Sequence, residues 1–186
     1  MISIRNEPGS RMNDAVRSIY QGKVLHLTLE DVVLPNGSTA RLEIAHHPGG
    51  AAVVAIDSSN RVCLLRQYRH AAGGWIIELP AGKLDNREPP LECAQRELAE
   101  EAGVNAAHWE SLGDFLSSPG VLTEVIHVFL ARDLRPADAR PEEHEVFEVH
   151  WISLEEALAM AASGRIRDGK TLVGLFWAGA ALSKKA

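Results

Sequence analysis

The chain has 186 residues, 46% of them hydrophobic, a formal net charge of −6 and two cysteines. That length suits one domain with a substantial core and a small appendage, and the acidic balance argues against general binding to a nucleic-acid backbone. No run reaches the roughly 20 apolar residues of a membrane helix, the opening MISIRNEPGSRMND has no apolar signal core, and Cys63 and Cys93 do not make a disulfide framework, so a cytoplasmic protein with no membrane or nucleic-acid partner is expected.

Residues 1–19 are polar and aperiodic and are expected to form a mobile lead-in. Residues 20–47 read as a separate strand segment: Val24, Leu25, Leu27 and Leu29 lead into Val32-Val33-Leu34, Pro35-Asn36-Gly37 signals a turn, and 40–45 returns. Residues 48–186 form the main domain. In it, 51–56 and 62–68 are apolar runs joined by Asp57-Ser58-Ser59-Asn60, the pattern of a hairpin, and Trp75 opens a short strand that stops at Pro80. Buried packing is the expected fate of Trp75, with stacking on a base as the alternative.

Pro89-Pro90 sits where a helix can begin, Leu91, Ala94, Leu98 and Ala102 supply a core-facing stripe, and Gly103 is placed to stop the helix. Strand-like segments follow at 109–115, 121–131 and 145–152. Ser153 and Glu156 form a capping box that opens another helix, and a last helix is expected over 170–182. Strands interleaved with helices in this way indicate an α/β sandwich.

The first of these helices carries Arg96-Glu97-Leu98-Ala99-Glu100-Glu101. At about 100° per residue, Glu97, Glu100 and Glu101 share one side. Like charges at this spacing destabilise an isolated helix by roughly 0.2–0.5 kcal/mol per pair, so the face makes most sense with a cation on it. Carboxylate oxygens suit hard cations such as Mg²⁺ or Mn²⁺. The bland alternative is a solvated acidic face, and Glu92, outside the pattern, is read as surface charge.

The segment from Gly82 to Val104 runs Gly, five residues, Glu88, seven residues, Arg96-Glu97, an aliphatic, one residue, Glu100-Glu101, one residue, Gly103, an aliphatic. This pattern resembles the Nudix box without a departure. The resemblance implies the Nudix fold, an α/β/α sandwich with a mixed β-sheet. It also implies metal-dependent hydrolysis of a diphosphate bond, with Mg²⁺ (or Mn²⁺) held by Glu97, Glu101, Glu100 and the backbone at Ala81. Arg96 and Glu88 would then orient box carboxylates, and Gly82 and Gly103 would serve backbone conformation.

Further segments resemble the ADP-ribose pyrophosphatase group: Arg66-Gln67-Tyr68-Arg69, Glu78-Leu79-Pro80-Ala81-Gly82, Ser117-Ser118-Pro119-Gly120 and Gly164 to Thr171. They imply ADP-ribose as substrate, cleaved to AMP and ribose 5-phosphate, with Arg69, Glu78, Pro119 and Glu124 near the substrate. Counting back from Val149-His150, the resemblance puts the general base at Glu143 and an accessory metal ligand at Glu145. Glu142 and Glu100 are the alternative bases. Residues 20–47 would build a homodimer. The same segments occur in hydrolases of GDP-mannose and other sugar nucleotides, which remain the alternative, and a non-catalytic nucleotide-sensing module is the alternative of another class.

Overall fold

A computed structural model describes residues 13–85, 88–140 and 144–184. The chain divides into two units: residues up to His47 together with Ser118–Glu124, and Pro48–Ser117 together with Val125 onward. The division falls after His47 and assigns a segment expected in the main domain to the first unit.

In the first unit β1 (Asn13–Gln21), β2 (His26–Val33) and β3 (Thr39–His46) form an antiparallel sheet in that order. The expected lead-in is therefore shorter than 1–19, because β1 takes its last residues. Its polar alternation signals little by itself, and pairing with β2 supplies its backbone partners. Between β2 and β3, Gly37 adopts φ 82° and Asn36 Oδ1 accepts from the Ser38 N–H, as a tight turn requires. The 118–124 segment joins the sheet where the Ala45 N–H donates to Val121 O and the Thr123 N–H donates to Ala45 O.

The second unit holds two sheets. One is mixed, β7 (Ala81–Lys83), β4 (Gly50–Ala55), β9 (Val125–Pro136) and β8 (Val104–Leu116) in that order, with β4 parallel to β9. The other is antiparallel, in the order β10 (Phe147–Ser153), β5 (Arg61–Arg69) and β6 (Gly74–Glu78). The helices are α1 (Pro90–Ala102), α2 (Leu154–Ala162) and α3 (Gly169–Ser183).

Strand β4 is buried along its whole length and shows why the layers form. Ala52 and Val54 join one core with Val128, Leu130, Ala157 of α2 and Leu175 of α3. Ala51, Val53 and Ala55 join a second core with Phe129 and with Cys93, Ala94 and Leu98 of α1. Alternate residues of one strand thus face α1 on one side and α2 with α3 on the other, the α/β/α sandwich. Among the described residues no helix is long and apolar enough to cross a membrane.

Three expectations are corrected. The turn at Asp57–Asn60 exists, with the Asp57 N–H donating to Arg61 O, but its arms join different sheets and share only an Ile56–Val62 bridge. Both faces of β4 are apolar, so it pairs inside the mixed sheet rather than with β5. Leu91 is exposed, and the place expected for it in the core goes to Cys93. Trp75 is 43% exposed, with the Arg66 guanidinium 4.3 Å from its ring centroid and Tyr68 edge-on. Ser153 does cap α2, its Oγ accepting from the Glu156 N–H.

Candidate active site

The helix α1 is laid down so that its acidic side faces inward. Pro90 opens it behind Pro89, and Gly103 ends it at φ 64° with its N–H donating to Ala99 O. Leu98 and Ala94 on one side and Cys93 beside them anchor it in the second core. Glu97 and Glu101 are buried with them, 8% and 2% exposed, which removes the reading of an ordinary solvated face. Glu92 is exposed, and Glu100 is intermediate.

The loop that enters the box lies directly against these carboxylates. The Ala81 N–H donates to Glu101 Oε2 at 2.8 Å. A side chain on Gly82 would overlap the Glu97 carboxylate itself, so glycine is required there for space; its φ is not in the left-handed region. Arg96 gathers the remaining acids: Nη1 donates to Glu97 Oε1 at 2.6 Å and to Glu100 Oε2 at 3.4 Å, and Nη2 donates to Glu88 Oε1 at 2.7 Å and to Lys83 O at 3.4 Å. Glu88 also accepts from the Asp85 N–H. Its hydrogen bond with Arg96 holds the Glu88 carboxyl below the usual range, while the same acids raise the guanidinium.

Burial, with the Ala81 N–H in opposition and the charges of Glu97 and Glu145 in support, pushes Glu101 up to about 8. Burial also raises Glu97, against Arg96 and with the help of Glu100 and Glu145. Glu145 thus acts on both box acids and on Arg69, which places it with them. Burial chiefly pushes the Cys63 and Cys93 thiols up to about 12, away from the reactive thiolate.

Arg69 and Glu78 are brought together, but against each other. Arg69 Nε and Nη2 donate to the two oxygens of buried Glu78 at 2.9 and 3.0 Å, and Lys170 Nζ donates to Glu78 Oε2. These two cations bring the Glu78 carboxyl below its usual value although burial alone would raise it. The Arg69 side chain stays 41% exposed although Glu78 holds its guanidinium. Pro119 and Glu124 belong to the first unit, where Glu124 faces His47 Nδ1 at 3.1 Å. Glu142 and Glu143 lie outside the described residues.

The donor set suits a hard divalent cation. Glu101 Oε1 is buried and has no hydrogen-bond partner, and the neighbouring acids are carboxylates on the same helix. Among the described residues no three acidic, His or Cys side chains already close into a cage, and Glu97 Oε1 is turned to Arg96. Lys170 and Thr171 of α3, with the cap Asp168 before it, also reach this region. Asp168 followed three residues later by Thr171 is a legible helix-start signal.

The fold and the box define a Nudix protein, and the NUDIX domain matches residues 46–172. The chain belongs to the Nudix family and is a Nudix hydrolase, a family generally dependent on divalent metal. It is 40% identical over 159 residues to the ADP-ribose pyrophosphatase of Bacillus subtilis (strain 168), covering 84% of this chain and 86% of that protein. It is equally similar, with the same coverage, to the methanol dehydrogenase activator of Bacillus methanolicus. A crystal structure of an ADP compounds hydrolase shares the fold with a TM-score of 0.83, covering 98% of this chain and 99% of that one at 18% identity.

Proposed function

We propose that this Nudix hydrolase splits the diphosphate of a nucleoside diphosphate sugar, and that ADP-ribose, giving AMP and ribose 5-phosphate, is its preferred substrate. The observation that carries this reading is Glu101: a buried carboxylate beside buried Glu97, raised to about 8 and with an unpartnered oxygen. A helix that buries two acids side by side is unfavourable unless a cation joins them. The similarity to an ADP-ribose pyrophosphatase favours a diphosphate flanked by adenosine and ribose.

Glu97, Glu101 and Glu100, with the backbone at Ala81 and Glu145 as accessory, would hold Mg²⁺ or Mn²⁺. When bound, the cation offsets charge on the diphosphate and lowers the pKa of water. Arg96 fixes the carboxylate directions from behind. Arg69, fixed by Glu78 and partly exposed, would donate to a phosphate oxygen. Glu143 takes the proton from the attacking water, with Glu142 or Glu100 as alternatives. One P–O bond of the anhydride breaks and one forms to the water oxygen. Pro119 and Glu124 are proposed as substrate contacts, and the cytoplasm as the location.

We also propose a homodimer built through residues 20–47 and the strand before them. Val16, Tyr20, Val33 and Leu42 of the three-stranded sheet, and Leu25 between β1 and β2, are all exposed in the first unit, more apolar surface than a small solvated sheet usually shows. Solution scattering tests it: a monomer mass at working concentration contradicts it.

The substrate reading is tested with Mg²⁺ and a panel of ADP-ribose, ADP-glucose, GDP-mannose and NADH, with products identified. Highest kcat/KM on ADP-ribose, with AMP released, is expected. Preference for GDP-mannose would transfer the assignment, and tight nucleotide binding without turnover under any divalent ion would revive a sensing module.

A further inference from the structure

The segment Gly164 to Thr171 resembles the family yet has no place in the chemistry above. In the structure its end starts α3. Asp168 caps the helix, Oδ2 accepting from the Thr171 N–H at 3.0 Å and from the Thr171 hydroxyl at 2.6 Å. That hydroxyl in turn accepts from the Leu79 N–H at 2.8 Å. Thr171 is therefore oriented as donor on one side and acceptor on the other, and it is fully buried. A residue away, Lys170 Nζ bridges Asp168 Oδ1 and Glu78 Oε2. One turn further along, Gly174 leaves room for Leu79: a Cβ there would stand 2.6 Å from Leu79 Cδ1.

These contacts all fall on the stretch that enters the box, and each residue of it is held. Glu78 is held by Arg69 and Lys170, and Leu79 by Thr171 and Gly174. The Pro80 carbonyl accepts from the Val53 N–H. Ala81 then gives its N–H to Glu101, and Gly82 lies beneath the Glu97 carboxylate. Only Pro80 lies between Leu79, anchored by Thr171, and Ala81, which contacts Glu101, too little for slack in an extended chain.

We propose that Thr171, set by Asp168 and supported by Gly174, is a positioning residue for the cation site: from α3 it fixes the 79–82 segment so that Glu97 and Glu101 face a common cation. This deepens the functional reading and rests on its assignment of those two acids. A shift of the Leu79 N–H moves Ala81 and Gly82 with it, and the carboxylates lose their backing without being altered themselves.

The test measures Mn²⁺ binding to the full-length apoprotein by electron paramagnetic resonance, alongside kcat, KM and thermal denaturation. Thr171→Val keeps the shape but cannot accept from Leu79. It is expected to weaken Mn²⁺ binding roughly 10-fold and to lower kcat more than it raises KM. Thr171→Ser keeps the hydroxyl and is expected to bind within about 2-fold of wild type. Ser153→Ala, which removes the α2 cap, should lower stability and leave Mn²⁺ affinity unchanged. Wild-type affinity in Thr171→Val, or equal weakening in Ser153→Ala, overturns the inference. If Thr171→Val does not fold, Gly174→Ala decides: weaker Mn²⁺ binding with full helix content supports it, and wild-type binding overturns it. Unchanged Mn²⁺ binding in Glu101→Gln would overturn the cation reading as well, whereas loss in Glu101→Gln with none in Thr171→Val sinks the positioning role alone.

Discussion

The Glu97 carboxylate occupies the space where a Cβ on Gly82 would stand. Gly82 therefore cannot take a side chain unless Glu97 moves, although Gly82 stands ahead of α1 and Glu97 lies within it. Gly82→Ala must therefore push the carboxylate off its place above the loop. Because a displacement of about 1 Å at a reacting centre costs on the order of 100-fold in rate, kcat is expected to fall by about that factor. Circular dichroism should show the helix intact, and steady-state kinetics on ADP-ribose checks the loss.

Arg96 is the hub that holds Glu97, Glu100 and Glu88 from one side. Arg96→Lys keeps the charge but loses the planar fork. Changes to groups that orient metal ligands cost roughly 10- to 100-fold in metal affinity or activity. A fall of that size in Mg²⁺ affinity, read from the metal dependence of kcat/KM, is expected.

Much of this was legible in the residues. The spacing of Arg96, Glu97, Glu100 and Glu101 places the acids on one helical side, and Gly103 adopts the left-handed stop its position suggests. What the spacing does not carry is depth. An acidic stripe reads the same whether solvated or buried, and only packing of α1 through Cys93, Ala94 and Leu98 shows that Glu97 and Glu101 are inside. Pairing was also hidden: a turn at Asp57–Asn60 fixes chain reversal locally, while the partners of β4 and β5 are set by distant strands. The same holds for Glu78, whose ties to Lys170 and, through Leu79, to Thr171 span 92 residues each. A local pattern could not disclose them.

The pH dependence has a definite sign. Glu101 ordinarily titrates near 4.5 and is raised to about 8 in the fold, so between those values the folded apoprotein binds more protons than the unfolded chain. Through this group the apoprotein loses stability as pH rises from about 4.5 to about 8. Glu78 acts oppositely: its lowered carboxyl stabilises the fold above its ordinary value, and that contribution is lost as pH falls through the folded value. At pH 7, cation binding should therefore release a proton from Glu101. Calorimetry in buffers of different ionisation enthalpy measures it. No buffer dependence would contradict the shift.

Glu78 is buried between Arg69 and Lys170. Lys170→Met removes one cation and leaves a buried carboxylate with Arg69 alone. Breaking a buried ion pair costs roughly 3–5 kcal/mol; with Arg69 still in place, about half of that, roughly 2 kcal/mol, is expected from urea denaturation. An unchanged midpoint would show that Lys170 contributes nothing to holding Glu78.

On the proposed function, the buried Glu97–Glu101 pair grips a divalent cation against a diphosphate. The most direct measurement is ³¹P NMR of ADP-ribose turnover with Mg²⁺ in wild type and in Glu101→Gln, which keeps size and removes charge. AMP and ribose 5-phosphate are expected from the wild type, with the rate falling on the order of 100-fold or more in the variant. Equal rates in the two proteins, or full turnover by the wild type in chelator, would contradict it.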